Sequence, residues 1–218
     1  SNTWGHNPAN GLRFGYHERW PGVARAALGP EVQIIEEGMN GRTTVWDDPV
    51  EGHMSGLAYL GPCLKSHRPL DVLVIMLGTN DAFTRIWSGA KGHFVADYKE
   101  LLDTYTSLDS KPKPYMIIPT PIGTSPFGHD GDLLATEVVP LVKQVAMEKM
   151  VPTIDAFTLF GGAMFDTSLF SASDQVHPNA KGQQMIGDEV YKVLMAMGGN
   201  AGAGGSAGVD PVRVGRAR

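Results

Sequence analysis

A serine at the first position and an Asp-x-x-His pair near the other end of the chain have the residue types needed for acyl transfer. A serine hydroxyl is a weak nucleophile until a base removes its proton, and a histidine whose tautomer is fixed by an aspartate is such a base. We therefore predict Ser1, Asp174 and His177 as the catalytic residues. The alternative is that Asp174 caps the helix that begins near Pro178 and that His177 is an ordinary loop histidine.

Two polar turns that contain glycine each follow an apolar run, and such turns can carry oxyanion donors. The first spans residues 38–44 and the second spans residues 78–81. Gly41 could instead simply serve a turn, and Asn80 could close a strand end by bonding its own backbone. Asp81 follows Asn80 directly, and we expect it to accept backbone N–H groups rather than to act as a catalytic acid.

Four blocks carry a resemblance to a known family, and they occur in the order Ser1-Asn2-Thr3-Trp4-Gly5, Asn40-Gly41-Arg42-Thr43-Thr44, Gly78-Thr79-Asn80-Asp81 and Asp174-x-x-His177-Pro178. Together they resemble the conserved blocks of the SGNH/GDSL hydrolase superfamily. Residues 36–49 further resemble its arylesterase and acyltransferase branch. The resemblance reaches from Ser1 to the helix after His177, so it covers nearly the whole chain except the tail.

The resemblance implies both a fold and a chemistry. The fold is a flavodoxin-like three-layer α/β/α sandwich with a parallel sheet. The chemistry is that of a serine ester hydrolase without a cofactor, whose oxyanion donors are the backbone nitrogen of Ser1, the N–H of Gly41 and the side-chain amide of Asn80. In the family the serine follows Gly-Asp and a buried strand. Neither precedes Ser1 in this sequence, so we expect the first strand to be absent from this chain.

The alternation of strand and helix patterns independently predicts a parallel sheet covered by helices on both faces. The predicted strands are residues 32–35, 71–77, 114–118 and 152–155. The predicted helices are residues 20–28, 57–64, 94–105, 133–150 with a kink at Pro140, and 180–197. We assign residues 1–197 to one domain and residues 198–218, rich in Gly and Ala, to a flexible tail.

Composition limits the classes of partner. The formal net charge of −5 argues against nucleic acid, because neutralising phosphates requires clustered Lys and Arg. No apolar run approaches the roughly 20 residues that span a bilayer. The single cysteine, Cys63, cannot form an internal disulfide, which favours the cytoplasm. We expect the partner to be a small-molecule ester substrate. Assembly of the chain into a homo-oligomer is left as an open alternative.

Substrate-binding residues and metals are less well specified by the sequence. Trp4 and Trp46 are candidates for lining an acyl or alcohol pocket, although core packing would explain them equally well. The remaining histidines are scattered without the close spacing of a metal site, so we predict no metal. We expect hydrolysis or acyl transfer on small acyl esters such as acetyl esters. The alternatives are a carbohydrate O-acetylesterase, a lysophospholipase-like lipase, or an inactive scaffold that lacks the first strand.

Overall fold

The computed structural model describes residues 1–199 except Glu51, His53 and Met54. Most of the predicted tail, residues 200–218, therefore lies outside the described residues. The sheet has three parallel strands in the order β1-β2-β3, with β1 at Val72–Ile75, β2 at Lys113–Ile118 and β3 at Thr153–Asp155. The α-helices are α1 Trp20–Leu28, α2 Gly56–Ser66, α3 Thr84–Ala90, α4 Phe94–Thr106, α5 Gly131–Leu133, α6 Val139–Glu148, α7 Ala156–Leu159 and α8 Ala180–Gly199.

The middle strand β2 shows why the molecule has three layers. Successive side chains of a strand point to opposite faces of the sheet. Met116 and Ile118 belong to an apolar core that also contains residues of α2, α4 and α6. Ile117 lies between them in the chain and belongs to a second core with residues of α1 and α8. Helices therefore cover both faces of the sheet, as predicted.

The prediction of a strand at residues 32–35 was wrong. These residues run without a ladder partner among the described residues. A cavity of about 490 Å³ is lined by Val32 and Ile34 and by Val72 and Val74 of β1. The physical reason for the wrong prediction is that a strand forms only with a neighbour about 4.8 Å away, and residues 32–35 pair with no strand of the described sheet. As a result, β1 is an edge strand.

The predicted long helix at residues 133–150 is divided. A π-helical turn at Leu134–Val138 separates α5 from α6. Pro140 lies in the first turn of α6, where its missing N–H costs little. The irregularity therefore precedes the proline. Helix α3 was not predicted, and it buries Ile86 and Trp87.

We also searched the helices for membrane spans. In the described part of the chain, no helix has the length and the apolar character that crossing a bilayer requires.

Candidate active site

The segment that carries Ser1 is held by two helices on the same face of the sheet. Gln183 of α8 is fully buried, and its Nε2 donates to the carbonyl of Asn2 at 3.2 Å. Its Oε1 accepts the backbone N–H of Trp20, the first residue of α1, at 3.0 Å. The carbonyl of Ser1 in turn accepts the N–H of Gly5 at 2.8 Å. One glutamine thus fixes the start of the chain against both α1 and α8.

Asp174 and His177 form a buried hydrogen-bonded pair on one turn. His177 Nδ1 lies 2.8 Å from Asp174 Oδ2, and the two residues are 5% and 4% exposed. A carboxylate can only accept, so Nδ1 carries the hydrogen and Nε2 keeps its lone pair. Burial raises the pKa of Asp174, but the hydrogen bond and charge of His177, together with the backbone N–H groups of Val176 and His177, hold this pKa below its usual value. His177 is therefore in the tautomer that a general base requires.

The alternative role considered for Asp174, capping the last helix, belongs to another residue. Oδ1 of Asp174 accepts the N–H groups of Val176 and His177 at 3.0 and 3.3 Å, which shapes the turn. The side chain of Asn179 accepts the N–H of Gly182 in the first turn of α8 at 3.1 Å. Asp174 thus orients His177, while Asn179 caps α8.

His177 lies next to a second histidine, His6. The His6 ring lies 4.2 Å from that of His177, and its Nε2 is 3.7 Å from Asp174 Oδ2. Burial lowers the pKa values of both His6 and His129, and the charge of His177 acts in the same direction on both. Among the described residues no hydrogen bond joins Ser1 to His177. In free enzymes such bonds often tighten only with substrate.

The three predicted oxyanion donors lie around the turn at residues 38–42. The Ser1 nitrogen donates to the Met39 carbonyl at 2.9 Å, and Asn80 Nδ2 donates to the Arg42 carbonyl at 2.9 Å. Gly41 lies between those carbonyls with a φ of 72°, a conformation that favours glycine. Nothing in the described part of the chain accepts the Gly41 N–H. The turn thus connects Ser1 to Asn80.

Asp81 joins the two polar turns and is fully buried. Its carboxylate accepts the N–H of Thr44 at 3.0 Å and the hydroxyl of Thr44 at 2.9 Å. This agrees with the expectation that it binds backbone N–H groups. Burial raises the pKa of Asp81 from 3.8 to about 6.

This raised pKa predicts a specific dependence of stability on pH. Between pH 4 and 6 the folded state holds a proton on Asp81 that the unfolded state has released, so stability falls as pH rises. Two pKa units correspond to roughly 3 kcal/mol. We expect the free energy of unfolding of the wild type, measured relative to Asp81→Asn by urea titration, to decrease by about this amount over that range.

The control for this experiment is Asp109→Asn, because the Asp109 side chain is 98% exposed. We expect the difference between wild type and Asp109→Asn to stay constant with pH. A constant difference for Asp81→Asn as well would show that Asp81 is ionised throughout.

The two tryptophans predicted to bind substrate lie in different places. The Trp4 ring is 6.4 Å from His6, which stacks on His177, and the guanidinium of Arg13 lies 5.4 Å above it. Trp46 instead donates to Asp97 at 2.8 Å and packs against His93. No hydrogen bond, ion pair or ring contact joins Trp46 to the triad within the described chain. Substrate binding by either residue stays a prediction.

Sequence reasoning missed three residues at this site: His6, Phe127 and His129. Phe127 is 47% exposed, and its ring packs edge-on against His177 at 5.5 Å and against His6 at 6.2 Å. Phe127 and His129 lie on the loop that follows β2. In open α/β sheets, ligands bind beyond the carboxyl ends of the strands. The position of Phe127 and His129 after a predicted strand was therefore the sequence signal that could have identified them. Nothing in the sequence near His6 indicates that its ring lies next to His177.

Among the residues that the structure describes, two groups of side chains have donor atoms close enough to hold a metal ion: His6 with Asp174 and His177, and Glu37 with Cys63 and His67. The statement that the histidines are scattered is therefore wrong for His6, which folding brings next to His177. In the second group both carboxylate oxygens of Glu37 are already engaged, one with Tyr59 and one with His67, each at 2.6 Å.

Comparison with protein families assigns the chain to a family. The family model of GDSL-like lipases and acylhydrolases matches residues 1–185. The chain belongs to this family. Comparison with curated proteins gave no match.

Solved structures of similar proteins agree with this assignment. The GDSL-like chain is 28% identical to Est24, a carbohydrate acetylesterase from Sinorhizobium meliloti, with a TM-score of 0.76 over 90% of this chain and 95% of the other. It is 28% identical to the native aryl esterase of M. smegmatis, with a TM-score of 0.68 and the same coverage. A lipase/acylhydrolase from Enterococcus faecalis, 20% identical with a TM-score of 0.70 over 90% of this chain and 92% of the other, shares the fold. The GDSL-like protein is thus a hydrolase of ester bonds.

Proposed function

We propose that this chain is a serine esterase for small acyl esters, with Ser1 as nucleophile, His177 as general base and acid, and Asp174 as the residue that orients His177. The observation that carries the proposal is the buried Asp174–His177 pair, in which Nδ1 carries the hydrogen and Nε2 keeps its lone pair. Ser1 and Asn80, the proposed nucleophile and oxyanion donor, line one cavity. A loop histidine without a task would need neither the burial nor the fixed tautomer.

The reaction follows in two halves. Ser1 Oγ attacks the ester carbonyl while His177 Nε2 takes the hydroxyl proton, and the carbonyl oxygen becomes an oxyanion. Collapse of this intermediate breaks the bond to the alcohol, which leaves with the proton from His177. Water then attacks the acyl group on Ser1 while His177 takes its proton. The bond to Ser1 Oγ breaks as His177 returns this proton to Oγ, which releases the carboxylic acid and restores the Ser1 hydroxyl. Another alcohol in place of water would give acyl transfer.

The oxyanion is assigned to the Ser1 nitrogen, the Gly41 N–H and the Asn80 amide. The Gly41 N–H is available to an incoming oxygen, and Asn80 has a second amide hydrogen besides the one given to Arg42. Each donor typically contributes about 3 kcal/mol to transition-state stabilisation.

The acyl group is assigned as small, such as acetyl. An acetylated sugar is a second candidate substrate, because the similar Est24 is a carbohydrate acetylesterase. Phe127 is exposed at the edge of His177 and offers an aromatic face to either an aryl ester or a sugar ring. A panel containing p-nitrophenyl acetate, p-nitrophenyl octanoate and an acetylated xylan fragment would rank the two classes and would test for the lipase alternative.

Covalent labelling gives the direct test of the nucleophile. We expect a fluorophosphonate probe to add one label per chain, to place it on the peptide that contains Ser1, and to abolish turnover of p-nitrophenyl acetate in proportion. Ser107→Ala is the control, because Ser107 is exposed at the end of α4, and it should be labelled like the wild type. A label on any other serine, or turnover that survives full labelling, would contradict the proposal. No labelling of folded protein would favour the inactive scaffold.

A further inference from the structure

The amide of Asn80 is held from both ends. Its Nδ2 donates to the Arg42 carbonyl at 2.9 Å, and its Oδ1 lies 3.0 Å from Nε2 of His129. Asn80 is 7% exposed and shares the lining of the large cavity with Ser1. The direction in which its second N–H points therefore depends on which group lies at its oxygen.

The hydrogen bonds assign the tautomer of His129. The Arg42 carbonyl can only accept, so the nitrogen of the Asn80 amide must face it and the oxygen must face His129. Nε2 of His129 must then carry the hydrogen. Its Nδ1, which lies 3.1 Å from Ser125 Oγ, is left as an acceptor.

Ser125 completes the chain of donors. Its Oγ already accepts the N–H groups of Phe127 and His129, at 3.2 and 3.1 Å. The hydroxyl hydrogen is consequently free to go to Nδ1 of His129. All the hydrogen bonds then run in one direction, from Ser125 to His129, to Asn80 and to the Arg42 carbonyl.

Packing holds the His129 ring in place and neutral. The ring lies 3.9 Å from the ring of Phe83, with an interplanar angle of 33°. Burial lowers the pKa of His129 to about 3, and the charge of His177 acts in the same direction. At neutral pH the His129 ring is therefore uncharged and carries its one N–H hydrogen on Nε2. It does not compete with His177 as a base.

We propose that His129 is a positioning residue, which donates to Asn80 Oδ1 and so keeps the amide N–H of Asn80 aimed at the oxyanion. This inference rests on the proposed function, because it assigns the oxyanion to Asn80. Without this donor only the Arg42 carbonyl would hold the amide, and its second N–H would be less well aimed at a developing negative charge. The effect of His129 should therefore appear in the transition state and not in the binding of the ester.

Three substitutions separate hydrogen bonding from packing. The amide nitrogen of glutamine lies about as far along the side chain as Nε2 of histidine, so His129→Gln retains a donor to Asn80. His129→Asn has the same amide on a shorter side chain, and His129→Leu has bulk but no donor. We expect kcat for p-nitrophenyl acetate to fall roughly 10- to 100-fold in the Leu and Asn variants with KM within about twofold, and to recover to within about fivefold of wild type in the Gln variant.

Urea unfolding of each variant establishes whether that variant folds. If His129→Leu does not fold, the comparison of kcat between His129→Gln and His129→Asn still tests the proposal. Equal losses in the Gln and Asn variants would assign His129 to packing alone and overturn the proposal. An unchanged kcat in the Asn or Leu variant would overturn it as well.

Asn80→Ala distinguishes this inference from the function on which it rests. We expect kcat to fall roughly 10²- to 10³-fold, and His129→Leu to add little in that background, because the amide to be oriented is gone. If Asn80→Ala has no effect, the assignment of the oxyanion is wrong. If Asn80→Ala lowers kcat and His129→Leu does not, only the role of His129 is wrong.

Discussion

His177→Ala is expected to lower kcat for p-nitrophenyl acetate by about 10⁵-fold or more, because it removes the base that takes the Ser1 proton. The tautomer fixed by Asp174 leaves Nε2 of His177 as the lone pair for this transfer. KM should change little, since the imidazole acts in the transition state. Burst kinetics with the wild type, followed by steady-state rates of the variant, measure the loss.

The matched control is His17→Ala, because His17 is exposed on the short helical turn at Tyr16–Glu18. It should retain full activity. Turnover by His177→Ala within about tenfold of wild type would exclude His177 as the base. Such a result would leave His6, whose ring lies 4.2 Å from His177, as the nearest replacement.

Asp174→Asn is expected to lower kcat by about 10⁴-fold while the fold is kept. The amide oxygen can still accept the N–H groups of Val176 and His177, so the turn survives. Its NH₂ group then faces His177 Nδ1 and forces this atom to become an acceptor. The hydrogen moves to Nε2, the atom that must take the proton from Ser1, and the base is lost.

An aspartate of the same local type serves as the control for this change. Asp166 accepts the N–H of Ser168 at 2.9 Å and makes no hydrogen bond to a histidine of the described chain, so Asp166→Asn should leave kcat unchanged. NMR of the imidazole nitrogens in Asp174→Asn should show the hydrogen on Nε2. Activity within about tenfold of wild type would mean that Asp174 does not set the tautomer.

The fold was predictable where local pattern and tertiary packing agree. The apolar stretch that becomes β1 and the helical stripe that becomes α4 both formed. Residues 32–35 have an equally good strand pattern, but a strand needs a neighbour at hydrogen-bonding distance, and sequence pattern contains no information on that neighbour. The π-helical turn before Pro140 was hidden for a similar reason, since periodicity does not specify one extra residue in a turn.

The site was predictable for residues that lie in short motifs and not for those that folding brings to them. Asp174 and His177 are three apart, and their contact follows from one turn. His129 reaches Asn80 from 49 residues away, and His6 reaches Asp174 across most of the chain. Such pairings depend on where strand ends lie in the sheet. A sequence without a three-dimensional fold does not reveal them.

The hydrogen bonds of Gln183 have a consequence for the proposed nucleophile. The Gln183 side chain joins the carbonyl of Asn2 to the N–H of Trp20, although it lies 181 residues from Asn2 in the chain. Local opening of α8 would therefore release the segment that carries Ser1. The position of the first residue thus depends on the integrity of the last helix.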